Sequence, residues 1–394
     1  MEIFFWILFL IVFYTFVGYA LLLALLLFFV NLFSNKRTYP DLKELALPKV
    51  CMFVTAYNEA DYVDMKVKNM MELDYPSDKM QILWITDGSN DGTPDILKSY
   101  PGMEVHHSPE RKGKIHAMNR GMQFVDAPIV IFSDSNTTLC RDAVRIIVKT
   151  FGDPKVGCIA GEKRVVSKEA DNAAGSGENL YWKFESWVKR MDSDLNTAVG
   201  AVGELFAIRT QLFEEVENDT ILDDFIISLR IAEKGYRIAY TPDAYAMETA
   251  SVNVSEELKR KVRIAAGGLQ TIVRLKKLLN PFKYRLLSFQ YISHKVLRWT
   301  IAPIALFFLP IINFFILQFD PKNNHLQFYT YFLYSQVFMY LLALIGWVLE
   351  RRKIRFKLLF IPYYFTAINY ASIRGWVRFL KGKQSVNWEK AKRA

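Results

Sequence analysis

The sequence predicts an α/β domain built on a mostly parallel sheet, fastened to a membrane by apolar helices at both of its ends. Three observations carry that prediction. Residues 3–33 are almost wholly apolar. Short apolar runs at Val50–Thr55, Gln81–Thr86 and Pro128–Ser133 alternate with helical stretches, and each ends in a polar loop that carries acidic residues. Two more long apolar runs, 299–318 and 326–349, follow a basic amphipathic stretch.

Composition narrows the class. The hydrophobic fraction of 52% in 394 residues is only slightly above a globular average, so its uneven distribution is the informative part. The formal charge of +10 comes largely from Lys and Arg that flank apolar runs. That pattern fits positive-inside anchoring rather than a nucleic-acid partner, for which no motif is present. Cys51, Cys140 and Cys158 form no C-x-x-C pair. They indicate neither a zinc site nor a disulfide framework and fit a reducing compartment.

Taken in order, residues 1–35 read as an N-terminal anchor. Ile3–Phe33 exceeds the roughly 20 residues a bilayer core needs. Glu2 precedes the run and no small-residue cleavage site follows, which favours a retained anchor over a cleaved signal. Lys36 and Arg37 place the next segment in the cytosol. Residues 48–250 read as the catalytic domain. Strands that are apolar on both faces indicate a parallel sheet with covered faces, and ligands in such sheets bind beyond the strand ends. Glu59, Asp87 and Asp134 fall at such ends.

Residues 251–298 carry Lys259, Arg260, Lys261, Arg263, Arg274, Lys276, Lys277, Lys283 and Arg285 among apolar positions. They read as helices on the cytosolic membrane face, with ordinary solvated helix surface as the alternative. Residues 299–380 form a C-terminal transmembrane region. In it the turn 320–324 is placed outside and the basic stretch 350–357 in the cytosol. The run 358–380 contains Pro362, Asn369 and Arg374. It reads either as a span, which leaves the basic tail 381–394 outside against the charge rule, or as a re-entrant or interfacial segment.

The polar loops carry the candidate chemistry. Asp87-Gly88-Ser89-Asn90-Asp91-Gly92 is a strand-to-helix turn. In it Asp87 either serves the turn or accepts hydrogen bonds from a nucleoside. Ser133-Asp134-Ser135-Asn136 sets two oxygen donors two residues apart, a pattern suited to a hard divalent cation such as Mg2+ or Mn2+ and also to a simple turn. Lys112 and Lys114 stand beside Gly113 at the start of a helix, a place for a pyrophosphate contact or for plain surface lysines. Adjacent Asp223 and Asp224 either cap a helix or raise one pKa for general-base work. Gln270 and Arg274 share one helix face.

In this order the motifs resemble those of the membrane-embedded, processive family 2 inverting glycosyltransferases, the group of hyaluronan, chitin, cellulose and poly-N-acetylglucosamine synthases. The resemblance covers about residues 50–280 and rests on Thr55–Glu59, Asp87, Gly113-Lys114 with Ala117-Met118-Asn119, and Asp134 with Asn136 in the place of D-x-D. It continues through Gly203–Arg209, Asp223-Asp224, and Gln270–Leu275 in the place of Q-x-x-R-W. Three departures stand out: Asn136 replaces an Asp, three residues rather than two separate Gln270 from Arg274, and Leu275 replaces the Trp.

The resemblance implies a GT-A type, Rossmann-like sheet in a multi-pass protein of the inner cell membrane with its catalytic domain in the cytosol. It implies inverting transfer from a nucleoside diphosphate sugar, a UDP-sugar by family, to a carbohydrate or lipid acceptor with Mg2+ or Mn2+. Glu59 and Asp87 would hold the nucleoside, and Asp134 and Asn136 the metal. Lys114 and Arg274 would face the diphosphate, Glu204 and Gln270 the substrates, and Asp224 beside Asp223 would be the base. Secreted polymer, single-sugar glycolipid and a catalytically silent scaffold remain as alternatives.

Overall fold

A computed structural model describes residues 1–33, 46–166, 173–249, 254–319, 326–352, 354 and 357–382. Among these residues one sheet runs through the α/β domain. Its strands are β1 (Val50–Ala56), β2 (Met80–Asp87), β3 (Met103–Ser108), β4 (Ile129–Asp134), β5 (Thr138–Leu139), β6 (Val156–Val166), β7 (Leu205–Arg209) and β8 (Arg237–Thr249). They lie in the order β3-β2-β1-β4-β7-β6-β8-β5. β3, β2, β1 and β4 are mutually parallel, as are β6 and β8, while β7 runs antiparallel between the two groups. The mixed, mostly parallel α/β sheet follows from strands that are buried on both faces.

Period-2 alternation sorts each strand between two cores. Cys51 and Phe53 of β1 face one core with Leu83, Phe132 and Phe206. Met52 and Val54 face the other with Trp84, Ile131 and Ala207. On the first face the rings of Phe53 and Phe132 lie 5.1 Å apart, and those of Phe132 and Phe206 4.6 Å apart. The helices Lys114–Met122 and Asp223–Glu233 cover this face. Ala60–Met71 and Ala143–Thr150 cover the other. Parallel alignment brings the C-terminal ends of β1, β2 and β4 to one rim, with Thr55 of β1 in register with Asp134 of β4.

Three helices are long and apolar enough to cross a membrane: Glu2–Phe33, Ile301–Phe319 and Leu326–Arg351. The first contains a π-helical turn at Tyr14–Gly18. The weak last run forms a helix, Lys357–Leu380, with Pro362 in its first turns, and it is not one of the three. It packs on the helix Val254–Arg274, so closely that a Cβ on Gly375 would lie 2.6 Å from the Cβ of Ala265. Lys36, Arg37, the turn 320–324, Lys353, Arg355, Phe356 and the tail from 383 lie outside the described residues.

Candidate active site

The loops after β1 and β2 are sewn together by short polar side chains. Asn58 adopts a left-handed backbone, φ 52°, which Asn tolerates better than most residues. Its Oδ1 accepts from Asn90 N at 2.9 Å and its Nδ2 donates to Asn90 Oδ1 at 3.0 Å. Asp91 accepts from Ala60 N at 3.0 Å, and Glu59 N donates to Thr93 Oγ1 at 2.9 Å. This seam buries Glu59 on the wall of a cavity. Asp87 closes the next gap: its Oδ2 accepts from Lys112 N at 2.9 Å and Gly113 N at 2.7 Å. Gly113 has φ 100°, a conformation suited to glycine, and it delivers the chain into the helix Lys114–Met122. Asp87 thus braces the lysine loop without lining the cavity, and its buried Oδ1 has no hydrogen-bond partner among the described residues. The Arg111 guanidinium lies 3.8 Å over the Tyr57 ring beside this seam.

Lys114 is the hub. Its Nζ lies 3.0 Å from Asp134 Oδ1 and 3.0 Å from Asp223 Oδ2, tying the end of β4 to the start of the helix Asp223–Glu233. Burial would lower this ammonium, but the two carboxylates outweigh burial and hold it above the usual lysine range. Burial raises the Asp134 carboxyl, opposed by Lys114. Burial, and then the charge of Asp223, push the Asp224 carboxyl up to about 7. Asp224 Oδ1 accepts from Phe225 N at 2.8 Å, so the helix N-terminus shares its charge. A Cβ on Gly203 would lie 3.6 Å from Asp224 Oδ2 and 3.8 Å from Lys114 Nζ. Glycine leaves open the space between these two groups.

A buried layer of charge supports this hub. Lys66 is fully buried and donates to Ser133 Oγ at 2.6 Å and Thr137 O at 2.9 Å, clamping both ends of the loop that holds Asp134. Burial pulls its ammonium down to about 7, against the pull of Asp134. Glu204, from the loop before β7, accepts from Lys163 Nζ at 2.7 Å and Arg260 Nη2 at 3.0 Å. Burial alone would raise Glu204, and these two cations instead hold it well below the usual range. Lys163 also pairs with Glu248, at 2.5 Å, and Glu248 Oε1 accepts from Asn136 Nδ2 at 3.3 Å. Asn136 therefore spends its amide nitrogen on the protein and leaves its amide oxygen unused among the described residues.

The helix Val254–Arg274 corrects the expectation for its last turns. Gln270 and Arg274 do not reach the cavity. Gln270 donates to Asp219 O at 2.8 Å and accepts from Ile221 N at 3.1 Å. Arg274 donates to Thr220 Oγ1 at 2.6 Å and Asp219 Oδ1 at 2.5 Å. The pair clasps the loop that leads into Asp223 and touches no other site residue. Arg260 and Arg263, three turns earlier, line the cavity instead. Arg263 stands in the field of Asp134, Asp223 and Asp224 and makes no hydrogen bond or ion pair among the described residues. The sequence did not mark Arg263, because Arg260 rather than a Gln stands at the Q-x-x-R spacing before it.

The cavity, of about 920 Å3, is lined by Glu59, Lys114, Asp134, Asp224 and Arg263 and also by side chains of the apolar helices, among them Phe16 and Phe365. A divalent cation fits here in one way. Among the described residues no three His, Cys, Asp or Glu side chains converge as a metal site, so the protein offers Asp134 and the free amide oxygen of Asn136. Mg2+ and Mn2+ ordinarily complete such a pair with waters and substrate phosphates.

Comparison with known proteins agrees with this arrangement. Residues 51–217 match glycosyl transferase family 2. The poly-beta-1,6-N-acetyl-D-glucosamine synthase of Staphylococcus aureus is 27% identical over 253 residues, 61% of this chain and 59% of the synthase. The match thus spans less than two thirds of that relative. The probable glycosyltransferase YdaM of Bacillus subtilis is 24% identical over 264 residues, 62% of each chain. A mannosyltransferase from Pyrobaculum calidifontis, solved in complex with GDP-Man and Mn2+, shares the fold with a TM-score of 0.72, over 97% of this chain and 99% of its own at 22% identity.

Proposed function

Given a family 2 glycosyltransferase domain at residues 51–217, we propose that this chain transfers a sugar, with inversion, from a UDP-sugar to an acceptor hydroxyl at the cytosolic membrane face. The observation that carries the reading is Lys114, held between Asp134 and Asp223 in the cavity that Asp224 and Arg263 also line. Two cations and a carboxylate base then surround one space. Lys114 and Arg263 receive the diphosphate and neutralise the charge that grows on it as the anomeric C–O bond breaks. The acceptor oxygen attacks the opposite face of that carbon, its new bond forming as the old one breaks. Its proton passes to Asp224, whose raised pKa suits a base at neutral pH.

A divalent ion at Asp134 and Asn136 would supply Lewis-acid charge at the leaving phosphates. Glu59 serves the nucleoside, with Tyr57 and Arg111 as a stacking surface, and Asp87 acts through the lysine loop that it braces. Glu204 fixes Arg260 rather than touching substrate directly. Gln270 and Arg274 act through the loop they clasp.

A growing polysaccharide as acceptor is supported by the synthase relatives. A single-sugar glycolipid is the second reading, supported by the continuation of the cavity to Phe16 and Phe365. The test is full-length protein in nanodiscs, given Mn2+ and a panel of UDP- and GDP-sugars, with mass analysis of the products. A product bearing sugar in the inverted configuration is expected, and no transfer from any donor would end the proposal.

A further inference from the structure

The cavity also holds a second set of cations that the sugar-transfer chemistry does not use. Lys189, Lys295 and Arg298 are among its lining residues, and Glu185 is the carboxylate that pairs with Lys295 and Arg298 among the described residues. Lys295 pairs with Glu185, and Arg298 Nη1 donates to it at 2.8 Å. Among the described residues the buried Arg298 Nε has no hydrogen-bond partner. Lys189 is only 4% exposed. Among the described residues its ammonium has no counter-ion, only the Trp182 ring at 5.7 Å. Burying an ammonium without a partner is costly, and among the described residues Glu185 is the only carboxylate that pairs with Lys295 and Arg298, while Lys189 pairs with none. Burial, and then Lys189 and Arg298, lower the Lys295 ammonium to about 8 against the pull of Glu185. Such a cluster is built for an anion.

The surroundings say what carries that anion. On one side Trp299, next to Arg298, packs edge-on against Phe225 at 5.2 Å, and Phe225 follows Asp224. The cluster therefore adjoins the proposed base. On the other side the wall is apolar and belongs to the helices at the membrane: Phe16 of Glu2–Phe33 and Phe365 of Lys357–Leu380, whose rings meet at 5.0 Å, with Ile361 and Ile368. Base, cation cluster and apolar side chains thus line a single cavity.

We propose that Lys189, Lys295 and Arg298 form a phosphate site for an acidic phospholipid whose head group bears a hydroxyl, and that this lipid presents the acceptor oxygen to Asp224. The inference rests on the proposed transfer reaction for its purpose but not for its test. In the step itself the head-group hydroxyl oxygen bonds to the anomeric carbon, the nucleoside diphosphate departs with the electrons of the broken C–O bond, and Asp224 takes the hydroxyl proton. The lipid phosphate stays intact beside Lys189.

The test reads binding rather than catalysis. Full-length protein in detergent is titrated by native mass spectrometry with phosphatidylglycerol, with phosphatidylcholine, whose choline cation offsets its phosphate, and with inorganic phosphate. The wild type is expected to hold phosphatidylglycerol about tenfold more tightly than phosphatidylcholine. Lys189→Met, which strands no partner charge, should erase that preference, and Lys189→Arg should keep it. Equal retention of the two lipids by the wild type, or an undiminished preference in Lys189→Met, overturns the site. Inorganic phosphate bound as tightly as the lipid overturns its assignment to a lipid. Failed sugar transfer together with an intact lipid preference would remove the catalytic reading and leave this one standing.

Discussion

Asp224 is placed where its charge is least comfortable, enclosed by protein and beside another carboxylate. A base works in its ionised form, so a carboxyl at about 7 gives a defined pH profile. Transfer rate should fall about tenfold per pH unit below roughly pH 7 and level off above it; a flat profile between pH 5 and 8 would remove Asp224 from that role. Asp224→Asn should cost about 10²–10⁴ in kcat while nucleotide-sugar affinity, measured by calorimetry, changes little. Glu59, Asp87, Asp134 and both aspartates of the pair were legible as candidates in the sequence, because strand-end loops of a parallel sheet share one rim. Arg263 was not, because a single arginine in a basic helix has no local mark. Only its position opposite Asp134 and Asp223 distinguishes it.

Within the elements, the helix Val254–Arg274 separates two jobs along its length. Its middle turns present Arg260 and Arg263 to the cavity and its last turns grip Asp219 and Thr220. Arg263→Gln should raise the KM for donor and the inhibition constant for free nucleoside diphosphate by about tenfold or more, since a charge-assisted contact to phosphate is lost. Arg274→Gln should leave nucleoside diphosphate inhibition nearly unchanged and lower kcat through a looser loop. Steady-state kinetics on the two variants distinguishes a ligand contact from a clasp.

The loop Ser133–Thr137 depends on Lys66 in a similar way. Lys66→Met removes both of its clamps. It should weaken Mn2+-dependent donor binding by about 10–100-fold, a loss that calorimetry with and without the metal would show. No sequence pattern announces Lys66, which reads as one polar residue of an amphipathic helix until the fold buries it.

Across the whole molecule the catalytic domain and the membrane helices meet through a few close approaches. Trp299 leads into Ile301–Phe319 and seats its indole over Gly268, where a Cβ would lie 2.3 Å from Trp299 Cε3. Gly268→Ala should destabilise the chain by about 1–3 kcal/mol through overpacking, read as a lower midpoint of thermal unfolding in detergent.

The sequence by itself determined the apolar helices, the parallel strands and the acidic loops that end them. Each of these is a local pattern: hydrophobic length, short apolar runs bounded by polar loops, and turn chemistry. Tertiary structure alone decided that Lys114 bridges Asp134 and Asp223, that Gln270 and Arg274 turn away from the cavity, and that Lys189 is buried beside Arg298. These depend on contacts between segments 20 to more than 100 residues apart, and charge burial, which sets the cost and use of each group, is a property of the assembled surroundings rather than of the chain.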